Sequence, residues 1–189
     1  MESVEKYHGF YIARYESSST IATISTQDKI SVGKCIWGAN SEGFPGSGAV
    51  EASREVYPAS NANTGGVVST LCYGVQWDQT VRFLEKNYPG ISQNSAKYGN
   101  YSADEYIKTG SNENYKQNNI YDMCGNRLEW TMEADNQFDA RILRGAGYNL
   151  SVGCITYDSI AARYPLNPTI NDSLVYYSGM GFRIALYIK

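Results

Sequence analysis

The chain has 189 residues, a formal net charge of −3 and only 19% charged residues, while 17 of its residues are Tyr. That length suits one domain, and the weak acidic balance excludes a broad basic surface for nucleic acid. No apolar run approaches the roughly 20 residues that span a bilayer, and Met1 is followed by acidic and polar residues rather than a secretory leader.

Residues 9–16 are rich in β-branched and aromatic side chains and predict a strand. Residues 17–27 are Ser/Thr-rich and read as a loop or edge hairpin. Three glycines and a proline in 43–48 mark a turn. Residues 50–57 predict a short helix stopped by Pro58, and 60–66 another loop. The strongest helical pattern is 74–87, where Val75, Val81 and Leu84 recur with Trp77 and Phe83 before Pro89-Gly90 ends it. Residues 90–118 are polar, turn-rich and irregular. Residues 181–188 are the last clear strand and mirror the first: Gly-Phe, then alternating Arg and apolar residues.

Cys35, Cys72, Cys124 and Cys154 form no C-x-x-C pair, which excludes zinc-ribbon and thioredoxin-type sites. Four scattered thiols are expected to be reduced, buried small hydrophobes. His8 is the sole histidine, so a multi-His metal site is excluded and a Ser-His-Asp triad would depend on that residue alone.

Three motifs then follow in order: Asp122-Met-Cys-Gly-Asn-Arg-Leu-Glu-Trp130, Arg141-Ile-Leu-Arg-Gly145, and Gly181-Phe-Arg183, with Ala161-Ala-Arg163 between the last two. Together they resemble the formylglycine-generating-enzyme (sulfatase-modifying-factor) version of the C-type lectin fold. The resemblance covers the amino-terminal strand and the carboxyl half; residues 22–118 match only loosely. It implies an α+β domain spanning 1–189, with small antiparallel sheets, two helices and many ordered loops. It also implies that the first and last strands pair, residues 10–15 with 182–187. Trp130 is expected in the core, and Arg144 and Arg183 as braces for loops.

In that family the Gly-Asn-x-x-Glu-Trp turn can hold calcium. Carried over, the ligands of a structural calcium ion would be the side chains of Asp122 and Glu129 and the carbonyls of Gly125 and Arg127, the hard oxygen donors Ca²⁺ requires. The other reading is that both carboxylates pin the loop by hydrogen bonds to amides, without metal. The family's oxidases hold copper(I) on two cysteines, a soft metal on soft ligands. Aligned without a gap from Gly145 to Arg163, those positions fall on Leu150 and Ile155, with Cys154 beside the second. No copper and no catalytic residues are therefore expected.

The same fold serves binding in the variable proteins of diversity-generating retroelements, which diversify one carboxyl-terminal segment. The mutated codons end in a pyrimidine and cannot encode Lys, Glu, Gln, Trp or Met. Those five types make up 30 of residues 1–140, so about seven are expected among the 35 residues from Arg144 to Ser178; there are none. The segment 144–180 offers an aromatic and amide-rich set instead: Tyr148, Asn149, Ser151, Ile155, Tyr157, Asp158, Tyr164, Asn167, Asn171, Asp172, Tyr176 and Tyr177. Tyr supplies rigid contact area, and Asn and Ser adaptable hydrogen bonds. The expected function is non-enzymatic binding of a protein or other surface ligand, on a phage particle or bacterial cell surface, with no nucleic acid and no membrane insertion. The alternatives are a formylglycine-generating-type oxidase or its inactive relative, and an adhesin without diversification.

Overall fold

The two ends of the chain meet in one sheet. In this computed structural model, which describes residues 5–6, 8–17, 29–30, 48–60, 65–101, 105–135, 140–148, 163–165 and 180–188, β1 (Tyr11–Ile12) pairs antiparallel with β11 (Ile184–Ile188). Tyr11 faces Leu186 and Ile12 faces Ala185, as the resemblance implies. Two further bonds extend the seam, Ala13 N to the Ile184 carbonyl at 2.8 Å and Ser17 N to that of Phe182 at 3.0 Å. The regular part of the first strand is only two residues long. The other edge of β11 pairs with β3 (Val67–Leu71), a strand hidden in the sequence by the glycines before it.

The predicted last strand is in fact two, β10 (Met180–Phe182) and β11, with Arg183 between them. The break lets the chain change sheets. β10 joins β7 (Leu128–Asp135), β8 (Ala140–Arg144) and β9 (Arg163–Pro165) in the order β10-β7-β8-β9. The β10–β7 pair is parallel, so this sheet is mixed rather than purely antiparallel. Two small pairs complete the described strands: β2 (Lys29–Ile30) with β4 (Lys108–Thr109), and β5 (Lys116–Gln117) with β6 (Ile120–Tyr121). The latter hairpin turns on Asn118 and Asn119, both at positive φ (47° and 66°), the two-residue turn that asparagine tolerates best among side-chain-bearing residues.

Two α-helices have both ends within the described residues. α1 (Ala49–Val56) ends beside Pro58 as predicted and buries Ala49, Val50 and Ala52. α2 (Gly74–Glu85) buries Trp77, Val81 and Leu84, a stripe at four- and three-residue spacing. Val75 and Phe83 were expected on the same face, but they are 67% and 49% exposed. Eight residues apart, they share a stripe of their own about half a turn away from the buried one. No helix among the described residues is long and apolar enough to cross a membrane.

The core has two parts. Leu71, Leu128, Trp130, Leu143, Met180 and Phe182 pack under α1, with Trp130 buried as expected. Trp77, Val81, Leu84, Ile91 and Met123 pack under α2. The expectation of four reduced thiols is corrected at Cys124, which is disulfide-bonded. Bridging depends on the spatial approach of two Cβ atoms, which spacing in the chain does not reveal. Cys72 is free and buried, and burial pushes its thiol pKa up, so it stays protonated. Cys35 and Cys154 lie outside the described residues.

Candidate functional site

The turn between β6 and β7 is built from backbone shapes that few side chains accept. Asp122, Gly125 and Asn126 all have positive φ (52°, 84° and 60°). Asn126 uses both ends of its amide. Its oxygen accepts from Ile107 N and Asn100 Nδ2, both at 3.1 Å, while its nitrogen donates to Glu16 at 2.6 Å and to the Ile107 carbonyl at 3.3 Å. This meets the full hydrogen-bonding capacity of the group. Glu16 also accepts from Arg127 N at 3.2 Å, tying the end of the amino-terminal segment to the turn.

Arg183 is fully buried and joins four parts of the chain. It bonds Glu129 through Nε at 2.9 Å and Nη2 at 2.8 Å, the Ala13 carbonyl at 2.9 Å, and the carbonyls of Tyr121 and Asp122 at 2.9 and 3.2 Å. Glu129 accepts in addition from Trp77 Nε1 at 3.1 Å. The planar fork of guanidinium suits this role, since its donors leave in several directions at once. Arg144, 2% exposed, is held the same way at the end of β8 by Glu133 (2.5 and 3.0 Å) and by Asp78 of α2 (3.1 Å). Both arginines therefore brace the frame, as expected.

The predicted calcium ligands were tested against these donors. Asp122 Oδ2 accepts from Thr109 Oγ1 and Gly110 N, each at 3.0 Å, and Glu129 faces Arg183 and Trp77. A cation binding Glu129 would have to displace a buried guanidinium already carrying that charge. Among the described residues no group of three or more His, Cys, Asp or Glu could hold a metal ion. As arranged, both carboxylates are committed to hydrogen bonds, but only Asp122 takes a backbone amide, that of Gly110, while Glu129 takes side-chain donors. Added Ca²⁺ or chelator is accordingly expected to leave the melting temperature within about 1 °C, because a ligand stabilises only the state it binds. A calcium-dependent rise of several degrees would reverse this assignment.

Crowding three carboxylates here has a titration consequence. Burial, and then the neighbouring Asp122 and Glu129, push Glu16 from 4.5 up to about 8. Burial, opposed by the Gly110 and Thr109 donors, moves Asp122 from 3.8 to about 6. A carboxyl with a raised folded pKa binds more protons folded than unfolded, so its contribution is full below the unfolded pKa and is lost as pH rises. Stability is expected to fall between about pH 3.8 and 6 through Asp122 and between about pH 4.5 and 8 through Glu16, by up to roughly 1 kcal/mol per pH unit for each group within its own window. Urea midpoints across that range should show the slope, and Glu16→Gln should flatten it.

The expected ligand surface begins beside this turn. Tyr148 is half-buried, with its N–H on the Asn126 carbonyl at 3.1 Å. Its ring meets Tyr106 edge-on at 4.3 Å, and the Arg127 guanidinium lies 3.6 Å from the Tyr106 ring centre. Tyr164 lies in β9, opposite Arg141. Asn149, Ser151, Ile155, Tyr157, Asp158, Asn167, Asn171, Asp172, Tyr176 and Tyr177 lie outside the described residues, as does Leu150. Sequence reasoning missed Glu16, Asn100 and Tyr106. A glutamate ending a predicted strand carries no sign that it will be buried, and Asn100 and Tyr106 sit in a stretch without periodicity.

No family model matches the chain, and no curated protein matches it. Among solved structures, the crystal structure of CarF aligns with 68% of this chain and 50% of its own, at 18% identity and a TM-score of 0.45. The chain thus spans half the length of that protein, and a likeness this low carries no argument about function.

Proposed function

We propose that the chain is a non-enzymatic ligand-binding protein. It is a C-type-lectin-like domain of the formylglycine-generating-enzyme subtype that displays a variable carboxyl-terminal surface, as the variable proteins of diversity-generating retroelements do. The observation that carries this reading is the total absence of Lys, Glu, Gln, Trp and Met from Arg144 to Ser178.

The frame around that segment supports it. Arg144 enters the segment pinned by Glu133 and Asp78, and Met180, Phe182 and Arg183 leave it buried. A diversified stretch needs fixed ends, since buried charges that lose their partners cost several kcal/mol. Tyr148 begins the surface, braced by Tyr106 and Arg127. The ligand is a protein or another surface molecule, read by tyrosine rings and short amide side chains.

The test is the gene locus. A reverse transcriptase and an imperfect repeat of the region coding for residues 141–185, differing at adenines, are expected beside the gene. A locus with neither, together with copper-dependent oxidation of a cysteine peptide by the purified protein, would overturn the proposal.

A further inference from the structure

A cleft of about 1040 Å³ opens between the start of α2, the end of α1 and the outer part of the terminal sheet. That is the size of a small-molecule site, for which roughly 300–1,000 Å³ is usual. Its walls are largely apolar: Phe10, Val68, Tyr73, Val75, Tyr187 and Ile188 all line it. Val75 is 67% exposed there, an aliphatic side chain turned to water.

Polar groups also reach the cleft, Gln79 and Thr70 among them. Gln76 is committed: its oxygen accepts from Tyr73 N at 2.8 Å and its nitrogen donates to Tyr187 Oη. The Tyr187 oxygen is therefore an acceptor already in use, and its hydrogen has no acceptor among the described residues. Burial pushes the Tyr187 pKa up to about 12, so the hydroxyl keeps that hydrogen throughout the neutral range. Arg54, in the last turn of α1, also lines the cleft and makes no ion pair or hydrogen bond among the described residues. Arg54 and the acidic residue lining the cleft, Glu5, are both exposed, so water and salt screen both charges, and the half-buried Tyr187 hydroxyl is the better-placed donor.

We propose that this cleft binds a small amphipathic carboxylate, with its apolar body on Val68, Val75 and Ile188 and its anionic end on Tyr187 and Arg54. An apolar chamber lined by an unused hydroxyl donor and a cation is complementary to such a molecule. The inference does not rest on the reading of segment 144–180, since none of that segment's described residues line the cleft.

Calorimetric titration of the full chain with decanoate, decanol and decyltrimethylammonium, each below its micelle concentration, tests it. Decanoate is expected to bind one saturable site, tighter than either analogue. Arg54→Gln should weaken decanoate about 3-fold and leave decanol unchanged, the size of one exposed ion pair. Tyr187→Phe should weaken it several-fold. Val75→Glu, at an exposed position where folding is safe, should abolish binding with an unchanged melting curve. Absence of saturable decanoate binding, equal binding of the three amphiphiles, or indifference to Arg54→Gln and Val75→Glu would each overturn the proposal.

Discussion

Arg183→Ala is expected to destabilise the protein by about 3–5 kcal/mol, the largest effect of any single substitution discussed, because it leaves a buried carboxylate without its countercharge. Glu129 is 2% exposed, and the guanidinium is its only cationic partner among the described hydrogen bonds and ion pairs. The same change frees the carbonyls of Ala13, Tyr121 and Asp122, three further acceptors that lose a donor. Set against a typical total of about 5–15 kcal/mol, this can unfold the domain at ordinary temperature. Arg183→Lys should recover only part of the loss, since one ammonium cannot reach acceptors on three segments. Urea unfolding at pH 7 measures both. An Arg183→Ala protein melting within a few degrees of the parent would show that the guanidinium is not the link between the two sheets.

Gly125→Ala is the second large effect, expected at about 2 kcal/mol or more from backbone strain together with a steric clash. Gly125 has φ +84°, and a Cβ there would lie 2.8 Å from Asn100 N and 2.9 Å from Asn100 O. Both neighbours are backbone and belong to the strand of chain that receives the Asn126 N–H at 2.9 Å. Relief of the clash must therefore open the turn. Gly90→Ala is the control: its φ is +79° but nothing lies within 4 Å of the added atom, so it isolates the conformational cost, about 1 kcal/mol. Equal losses at the two sites would mean that the close approach to Asn100 contributes nothing.

The sequence carried the frame better than the loops. Both helices were legible from apolar spacing and from Pro58 and Pro89, and the meeting of the chain's two ends followed from the family resemblance. The motif 122–130 located the turn whose Asp122, Asn126 and Glu129 are buried. What pattern could not supply was direction. Val75 and Phe83 read as core by composition, yet their angular position on α2 turns them outward. The apolar run 181–188 read as one strand because nothing local marks Arg183 as the point where the chain leaves one sheet for another. The carboxylates of the turn were correctly singled out, but their partner, a guanidinium about sixty residues on, is a tertiary fact. Cys124 had the same difficulty, since a disulfide joins residues that are distant in the chain.

The central claim is a division of labour: a rigid frame that rejects substitution, and a segment that accepts it because it faces a ligand. One display library, saturated at residues 120–135, 149–177 and 180–186 and sorted for protease resistance, tests it most directly. Tyr157, Asn167, Tyr176 and their neighbours should tolerate nearly every residue, while Gly125, Glu129, Trp130 and Arg183 should tolerate almost none. Equal intolerance across all three regions would make those tyrosines part of the core, and the binding surface proposed for them would not exist.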